Sequence, residues 1–525
     1  MGDERIRAAE VVATLCLATD LAVGLPFEHG LQSTLVAVRL AERLGVAAET
    51  ASQAYSACLL FYAGCTADAD LAAELFPGDI HVHFTPAMFG SRPEILRATA
   101  LALAPPGSEG PVRAARIARG LPRAVRAHRR HAAAICEVGQ MLTDRLGLPA
   151  SVRALFAHLT ERWDGKGEPA GLAGDELPLP VRIVHVARDA AFHALAGGPE
   201  HAAGVVRERA GGAFDPAIAA ALADGAAELL AVDPDASAWE ETLAREPAPW
   251  PDLDGATLDT ALAAMGDFAD LASPYFVGHS TGVAALAAEA ARNAGLVDAD
   301  VTLVRRAAHV HDLGRVAVPT RIWLEPRRLT ADEWERVRLH PYHTERVLSR
   351  SAALAALAPV ASAHHERLDG SGYHRGAPAS ALPPTARLLA AADAYHAMAE
   401  PRPHRPALTA AAAAETLAAE ARAGRLDPAA VAAVLEAAGQ RAPRLERPAG
   451  LTEREAQVVG LLARGLQTKQ VAGALGISAK TADRHVQNAY AKIGVSTRAA
   501  ATLFAMEHGL AVWGELPIGG AAGRS

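Results

Sequence analysis

Apolar positions recur at helical rather than strand spacing through two long blocks, residues 1–245 and about 257–440. In the first block the pattern breaks at Leu25-Pro26, Phe76-Pro77-Gly78, Ala104 to Gly107 and Gly165-Lys166-Gly167. Pro247, Pro249 and Pro251 mark the join to the second block, because proline interrupts helices. A Pro- and Arg-rich linker at 441–450 leads to a last module at 451–515. There the pattern predicts helices over about 453–464, 469–475 and 479–492, with Thr468 and Ser478 as N-caps and Gly476 at the turn. Val471, Leu475, Ile477, Val486, Tyr490 and Ile493 make the apolar face of this module. Lys480, Thr481, Arg484, Gln487 and Asn488 occupy the other face of its third helix. The stretch from Val11 to Leu25 reads as a buried helix: it is too short, and too acidic at its start, for a membrane span or signal peptide.

The two large blocks align with each other. The same number of positions separates His29 from Phe61 as separates His279 from His311. Farther on, Glu161 to Gly167 matches Glu366 to Gly372, Leu177-Pro178 to Arg182 matches Leu382-Pro383 to Arg387, and Phe214-Asp215-Pro216 matches Leu426-Asp427-Pro428. Alanine-rich helices resemble one another by chance, but glycine punctuation shared in the same order favours duplication.

Composition and charge refine the picture. Of 525 residues, 50% are hydrophobic and only 5% aromatic, with alanine and leucine dominating, which suits an all-α chain of three or four domains. The net charge of −8 excludes wholesale coating of nucleic acid. Across 451–510, however, basic residues outnumber acidic ones, so one small nucleic-acid-binding module on an acidic body is expected. Cys16, Cys58, Cys65 and Cys136 form no CxxC pair, and a reducing cytoplasm is the expected setting.

The chemistry concentrates between residues 279 and 393. His279, His311-Asp312, His340, His364-His365 and Asp393 are imidazoles and carboxylates, ligands for borderline to hard divalent metals such as iron, manganese or zinc. Seven candidates suffice for two metals with a carboxylate such as Asp312 bridging, a pair able to clamp a phosphodiester and activate water. His364 and His365, if helical, point about 100° apart and so serve different metals, or one of them contacts phosphate. His309, His343, His374, His396 and His404 are assigned to surface or supporting roles. In the first block the aligned positions hold Phe61-Tyr62, Ile135, Leu159-Thr160 and Arg188; His29 alone survives. That block should bind no such metal centre, and its expected work is sensing, dimerisation or packing.

On these residues and their flanks, Asp270 to Ser280, Ile322 to Thr330 and Ala392 to Arg405, the block at 257–440 resembles the HD-GYP branch of the HD-domain phosphohydrolases. The resemblance implies tandem HD-type helical bundles, the first degenerate, and hydrolysis of cyclic di-GMP at a two- or three-metal centre. It also implies catalytic roles for Asp312 and Arg315 and substrate contacts at Gly370, Gly372, Tyr373 and Arg402. Three departures stand out. Arg315 replaces the family's lysine, keeping a charge for phosphate but no transferable proton. His374 replaces the proline after Gly372-Tyr373, and His396 the aspartate after Asp393-Ala394-Tyr395.

Residues 451–510 resemble LuxR-type helix-turn-helix domains through Leu451 to Val459, Thr468 to Val486 and Ala491 to Ala501. That implies a four-helix domain with its third helix in the major groove of double-stranded DNA. Lys469, Lys480, Thr481, Arg484, Gln487, Asn488 and Lys492 would face the DNA, with a homodimer as the working form. The expected whole is a cytoplasmic transcription regulator without a membrane segment. Its metal-bearing block senses, and hydrolyses, a cyclic dinucleotide or related phosphodiester. The alternatives are a nucleotide-binding sensor with weak or no turnover, and a phosphohydrolase of another substrate.

Overall fold

The computed structural model describes residues 6–67, 69–76, 85–104, 110–233, 235–248, 251–439, 448–508 and 510. The breaks expected at Pro77-Gly78 and Pro105 to Gly107, the join residue Pro249, most of the 441–450 linker and residues 511–515 lie outside these. Among the described residues the elements are helices, apart from one short antiparallel pair of strands, Ile6–Arg7 with Asp252–Leu253, in register Ile6 to Leu253. The chain folds as two compact units that divide between Ala261 and Leu262, a few residues inside the helix Gly255–Asp270.

In the first unit, the buried helix expected at Val11 to Leu25 is Ala8–Ala22, apolar on nearly every side. The helix His29–Leu44 packs on Ala48–Leu59 and on Leu179–Arg209, which in turn carries Pro216–Asp224. In the second unit, His279–Asn293 packs on Asp298–Val310, Pro384–Ala399 and Pro428–Ala438. These are the counterparts of the first set in the same order.

Local chemistry repeats along with the helices. Asp215 caps its helix by accepting from Ala217 N–H and Ile218 N–H and pairs with Arg182 at 2.9 Å. Asp427 does the same for Pro428–Ala438 and pairs with Arg387 at 3.0 Å. Buried Asp20 accepts from Gly30 N–H, and buried Asp270 from Ser280 N–H. Close approaches explain the shared glycines. A Cβ on Gly64 would stand 2.4 Å from the Ile135 carbonyl oxygen, and one on Gly314 would stand 2.1 Å from that of His340. The alignment of His340 with Ile135 is therefore a spatial equivalence.

The last module folds as expected from its pattern, with helices Glu453–Ala463, Thr468–Ala474, Ala479–Ile493 and Arg498–Glu507. Val471, Leu475 and Val486 sit in its buried core with Ile477 and Tyr490 against them. Ser478 caps the third helix by accepting from Thr481 N–H at 3.1 Å. Thr468 does not cap the second. Gln467 is the N-cap, its backbone N–H held by the Gln470 side chain, and Thr468 is the first helical residue.

Candidate metal centre

Four helices and one turn deliver the candidate ligands. His279 opens the helix His279–Asn293, and His311-Asp312 follow the last turn of Asp298–Val310. His340 opens His340–Leu348, and Asp393 lies well inside Pro384–Ala399. His364 and His365 are not on a helix as expected; they occupy a turn beyond the short helix Ala358–Ala361, so the 100° argument does not apply to them.

All seven converge. His340, His364 and His365 form one group, and His279, His311, Asp312 and Asp393 another, each with its donor atoms within 4.8 Å of one another. Asp312 stands between them. Its Oδ1 lies 3.3 Å from both His340 Nε2 and His364 Nε2, and its Oδ2 lies 2.9 Å from His311 Nε2 and 3.3 Å from His279 Nε2. Asp393 Oδ1 is 3.1 Å from His279 Nε2, and its Oδ2 is 3.8 Å from His365 Nδ1. The turn thus places His364 and His365 in the same group.

Every one of these side chains except His365 is nearly or fully buried. Both Asp312 oxygens and His311 Nε2 are buried without a hydrogen bond. Buried polar atoms are ordinarily hydrogen-bonded, and these have only ionisable side chains at ion-pair distance. Lone pairs of imidazole and carboxylate pointed at a common point without hydrogen bonds fit a divalent cation.

Protonation separates the two groups. Burial holds His340 below the ordinary imidazole value, takes His364 down to about 4 and holds His365 well below the ordinary value, so these three are neutral. For His311 burial acts in the same direction, but the charges of Asp312 and Asp393 outweigh it and lift the group to about 9. His279 is likewise raised, against burial, by Glu400, Asp312 and Asp393. Asp312 is held well below the carboxylate range: burial opposes this, and Arg315 and His311 prevail.

The remaining expected residues are placed as follows. Arg315 Nη1 is 2.7 Å from Asp312 Oδ2, and its guanidinium lies over the Phe276 ring at 4.4 Å. The Tyr373 ring is 4.6 Å from that of His365. Gly370 and Gly372 shape the loop behind it. A Cβ on Gly372 would meet Arg367 N at 2.4 Å, and one on Gly167 would meet Arg162 N at the same distance in the first block, where only His29 of the candidate ligands remains. Their identity therefore follows from the backbone. Arg402 points away from open solvent, donating to the Tyr275 carbonyl at 2.6 Å and to Glu400 Oε2 at 2.8 Å.

One residue at the centre, Glu400, escaped the sequence reading, which gave its neighbour His396 a surface or supporting role. Glu400, fully buried, sits with Oε2 at 2.9 Å from His279 Nδ1, and His396 Nδ1 is 3.1 Å from Glu400 Oε1. The signal was present: 393, 396 and 400 fall on one face at helical spacing.

The first block shows what replaces the ligands. The Arg188 guanidinium, aligned with Asp393, lies over Phe61 at 4.9 Å and Tyr62 at 4.4 Å and donates to the Cys58 carbonyl at 3.0 Å. Burial and then the Arg188 charge push His29 down to about 3. Among the described residues, no cluster of three potential ligands occurs in this block.

In the last module, Lys469, Lys480, Arg484, Gln487 and Asn488 are exposed, with Thr481 half-buried beside them at the start of the third helix. Lys492 is differently engaged. Its ammonium lies 2.6 Å from Glu455 Oε2 and donates to the Gly450 carbonyl at 3.2 Å.

Comparison with known proteins agrees with this geometry. The HD domain family matches residues 96–218 and 263–430, and the bacterial regulatory proteins of the luxR family match 449–505. The chain is 32% identical over 282 residues to the 3'3'-cGAMP-specific phosphodiesterase 3 of Vibrio cholerae, covering 52% of this chain and 60% of that protein. It is 37% identical over 182 residues to the cyclic di-GMP phosphodiesterase response regulator RpfG of Xanthomonas campestris, covering 34% and 47%. The chain thus spans about half to three-fifths of the length of these relatives. A crystal structure of a cyclic GMP-AMP specific phosphodiesterase from V. cholerae has the same fold, with a TM-score of 0.57 and 22% identity over 84% of this chain and 99% of that one. Among the described residues no helix is long and apolar enough to cross a membrane. With duplicated bundles, a ligand cluster in the second and a helix-turn-helix behind it, the chain belongs to the HD domain family and carries a luxR-family regulatory domain.

Proposed function

We propose that this chain is a cytoplasmic transcription regulator whose second bundle binds two divalent ions and hydrolyses a cyclic dinucleotide, with the helix-turn-helix reading double-stranded DNA as a homodimer. The observation that carries the reading is the Asp312 carboxylate, each oxygen of which faces a separate set of histidine nitrogens. Iron, manganese or zinc all suit such ligands. His340, His364 and His365 would hold one ion and His279, His311 and Asp393 the other, with Asp312 between. When bound, the pair supplies Lewis acidity and a hydroxide nucleophile at neutral pH.

The chain's own residues do the rest. Burial excludes water from the ligands and strengthens every charge interaction around them. Arg315 brings a permanent cation beside Asp312, placed to neutralise a phosphate oxygen, and Tyr373 presents a ring next to His365 at the rim. The relatives' names include both 3'3'-cGAMP and cyclic di-GMP phosphodiesterases, which supports a cyclic dinucleotide as the substrate class. Arg315 also favours a second reading, a sensor that binds the nucleotide and turns it over slowly, because guanidinium gives up no proton to a leaving group. On the DNA side, Lys480, Thr481, Arg484, Gln487 and Asn488 would face the major groove, with Lys469 near phosphate.

The test is DNA binding of the full chain, followed by fluorescence anisotropy, with and without cyclic di-GMP and with Asp312→Ala as control. A nucleotide-dependent shift in DNA affinity that Asp312→Ala removes supports coupling. DNA affinity indifferent to nucleotide under metal-loaded conditions refutes it.

A further inference from the structure

An imidazole that offers Nε2 to a cation needs its proton held on Nδ1, and a fixed acceptor there sets both tautomer and ring orientation. Three of the histidines use a local device. His311 Nδ1 donates to the Ala308 carbonyl at 2.7 Å, His340 Nδ1 to that of Val337 at 2.5 Å and His364 Nδ1 to that of Ala361 at 2.6 Å. In each case the acceptor is the carbonyl three residues earlier.

His279 departs from this rule. The carbonyl three residues before it, that of Phe276, accepts the backbone N–H of His279 at 2.8 Å. Its Nδ1 faces Glu400 Oε2 instead, at 2.9 Å, a carboxylate far along the chain with no exposed surface. Glu400 is itself fixed. Arg402 donates to the same oxygen at 2.8 Å and Arg405 donates to the Glu400 backbone carbonyl at 3.0 Å, while Oε1 makes no hydrogen bond and has the His396 imidazole beside it, Nδ1 at 3.1 Å.

We propose that Glu400 is the positioning residue of the centre, holding His279 as the Nδ1–H tautomer so that Nε2 is aimed at Asp312 and Asp393. The inference rests on the metal-centre reading and adds to it a residue outside the ligand set. Direct ligation by Glu400 is disfavoured on two grounds. It would require His279 to lose its second proton and bridge two cations, and the Arg402 guanidinium already brings a positive charge to that oxygen. The first block offers a correlate. In the register that pairs Asp393 with Arg188, Leu195 stands in place of Glu400, so the carboxylate is missing where the ligands are missing.

The experiment titrates Mn²⁺ into chelator-stripped full-length chain, wild type, Glu400→Gln and Glu400→Asp, following free Mn²⁺ by EPR with thermal melting as a fold control. Partners that orient a ligating histidine are worth roughly 10–100-fold in metal affinity. Glu400→Gln is expected to lose that much at unchanged stoichiometry, with part regained in Glu400→Asp. In Co²⁺-loaded protein, the exchangeable Nδ1–H proton NMR signal of His279 alone should shift or vanish, while those of His311, His340 and His364 stay. Unchanged affinity, or movement of all the signals together, overturns the proposal. Loss of a whole Mn²⁺ equivalent at saturation also overturns it, by making Glu400 a ligand. If Glu400→Gln fails to fold, the Asp variant and its NMR signal decide. If the wild type takes up no Mn²⁺, the metal-centre reading itself falls.

Discussion

Lowering the pH should weaken metal binding at this centre, because two of its ligands carry protons that a cation must displace. His311 sits at about 9 and His279 well above the ordinary imidazole value, while His340, His364 and His365 are already neutral. A raised value means that the protonated form is the stable one without metal throughout the neutral range. At pH 7 a group at about 9 must give up its proton against two pH units, roughly 2.7 kcal/mol or a hundredfold in apparent affinity. Affinity is therefore expected to rise by about a factor of ten per pH unit for each proton displaced, the His311 contribution levelling off near pH 9. The assay is isothermal titration of Mn²⁺ into stripped protein from pH 6 to 9, in buffers of different ionisation enthalpy. The buffer dependence of the heat counts the protons, and at least one per chain should leave at pH 7. An affinity flat between pH 6 and 8.5, with heats independent of buffer, would refute the protonation pattern and the role of Asp312 and Asp393 in creating it.

Other outcomes follow from particular contacts. Asp20 is raised to about 7, first by burial, so its share of stability is complete below the unfolded value near 3.8 and is lost as pH rises through 7. That predicts an Asp20 contribution of about 2–3 kcal/mol to the fall in stability between pH 5 and 8 in urea unfolding, which Asp20→Asn should remove while the like contribution of Asp270 remains. Gly314→Ala would drive a Cβ to 2.1 Å from the His340 carbonyl oxygen and 2.6 Å from Thr344 N. A loss of about 1–3 kcal/mol or more and a drop in bound metal are expected, read by thermal melting and elemental analysis. Arg484→Ala should weaken DNA binding by about 1–3 kcal/mol with a change in salt dependence. Lys492→Ala should instead lower the melting temperature of the module, because its ammonium is held by Glu455 and the Gly450 carbonyl.

The convergence of the seven His and Asp side chains was legible because metal chemistry restricts residue type: paired His-Asp and His-His dipeptides between helices have few other uses. Duplication was legible through glycines, and Gly64 and Gly314 show why, since each stands where a backbone from far along the chain leaves no room for a Cβ. What escaped was orientation. His364 and His365 were read as helical neighbours, yet the chain turns there, and only coordinates show both in one group with His340. Glu400 lay just past the end of the helix Pro384–Ala399 and was passed over, because a lone glutamate carries no motif. Arg402 was expected at the substrate from the family resemblance and Lys492 at the DNA from the helix-turn-helix pattern, while each is ion-paired to a nearby carboxylate, Glu400 and Glu455. The Thr468 cap failed for a similar local reason: Gln467 and Gln470 close the box one residue earlier.

The central claim, that the Asp312-bridged cluster of the second bundle is a metal-dependent phosphodiesterase centre, is tested most directly by cyclic di-GMP hydrolysis in the Mn²⁺-loaded full chain. Product is followed by chromatography beside folded Asp312→Ala. Linear dinucleotide formed by wild type and lost with the metal in the variant is the predicted result. Mn²⁺-saturated wild type that leaves cyclic di-GMP and 3'3'-cGAMP intact over many hours would contradict it.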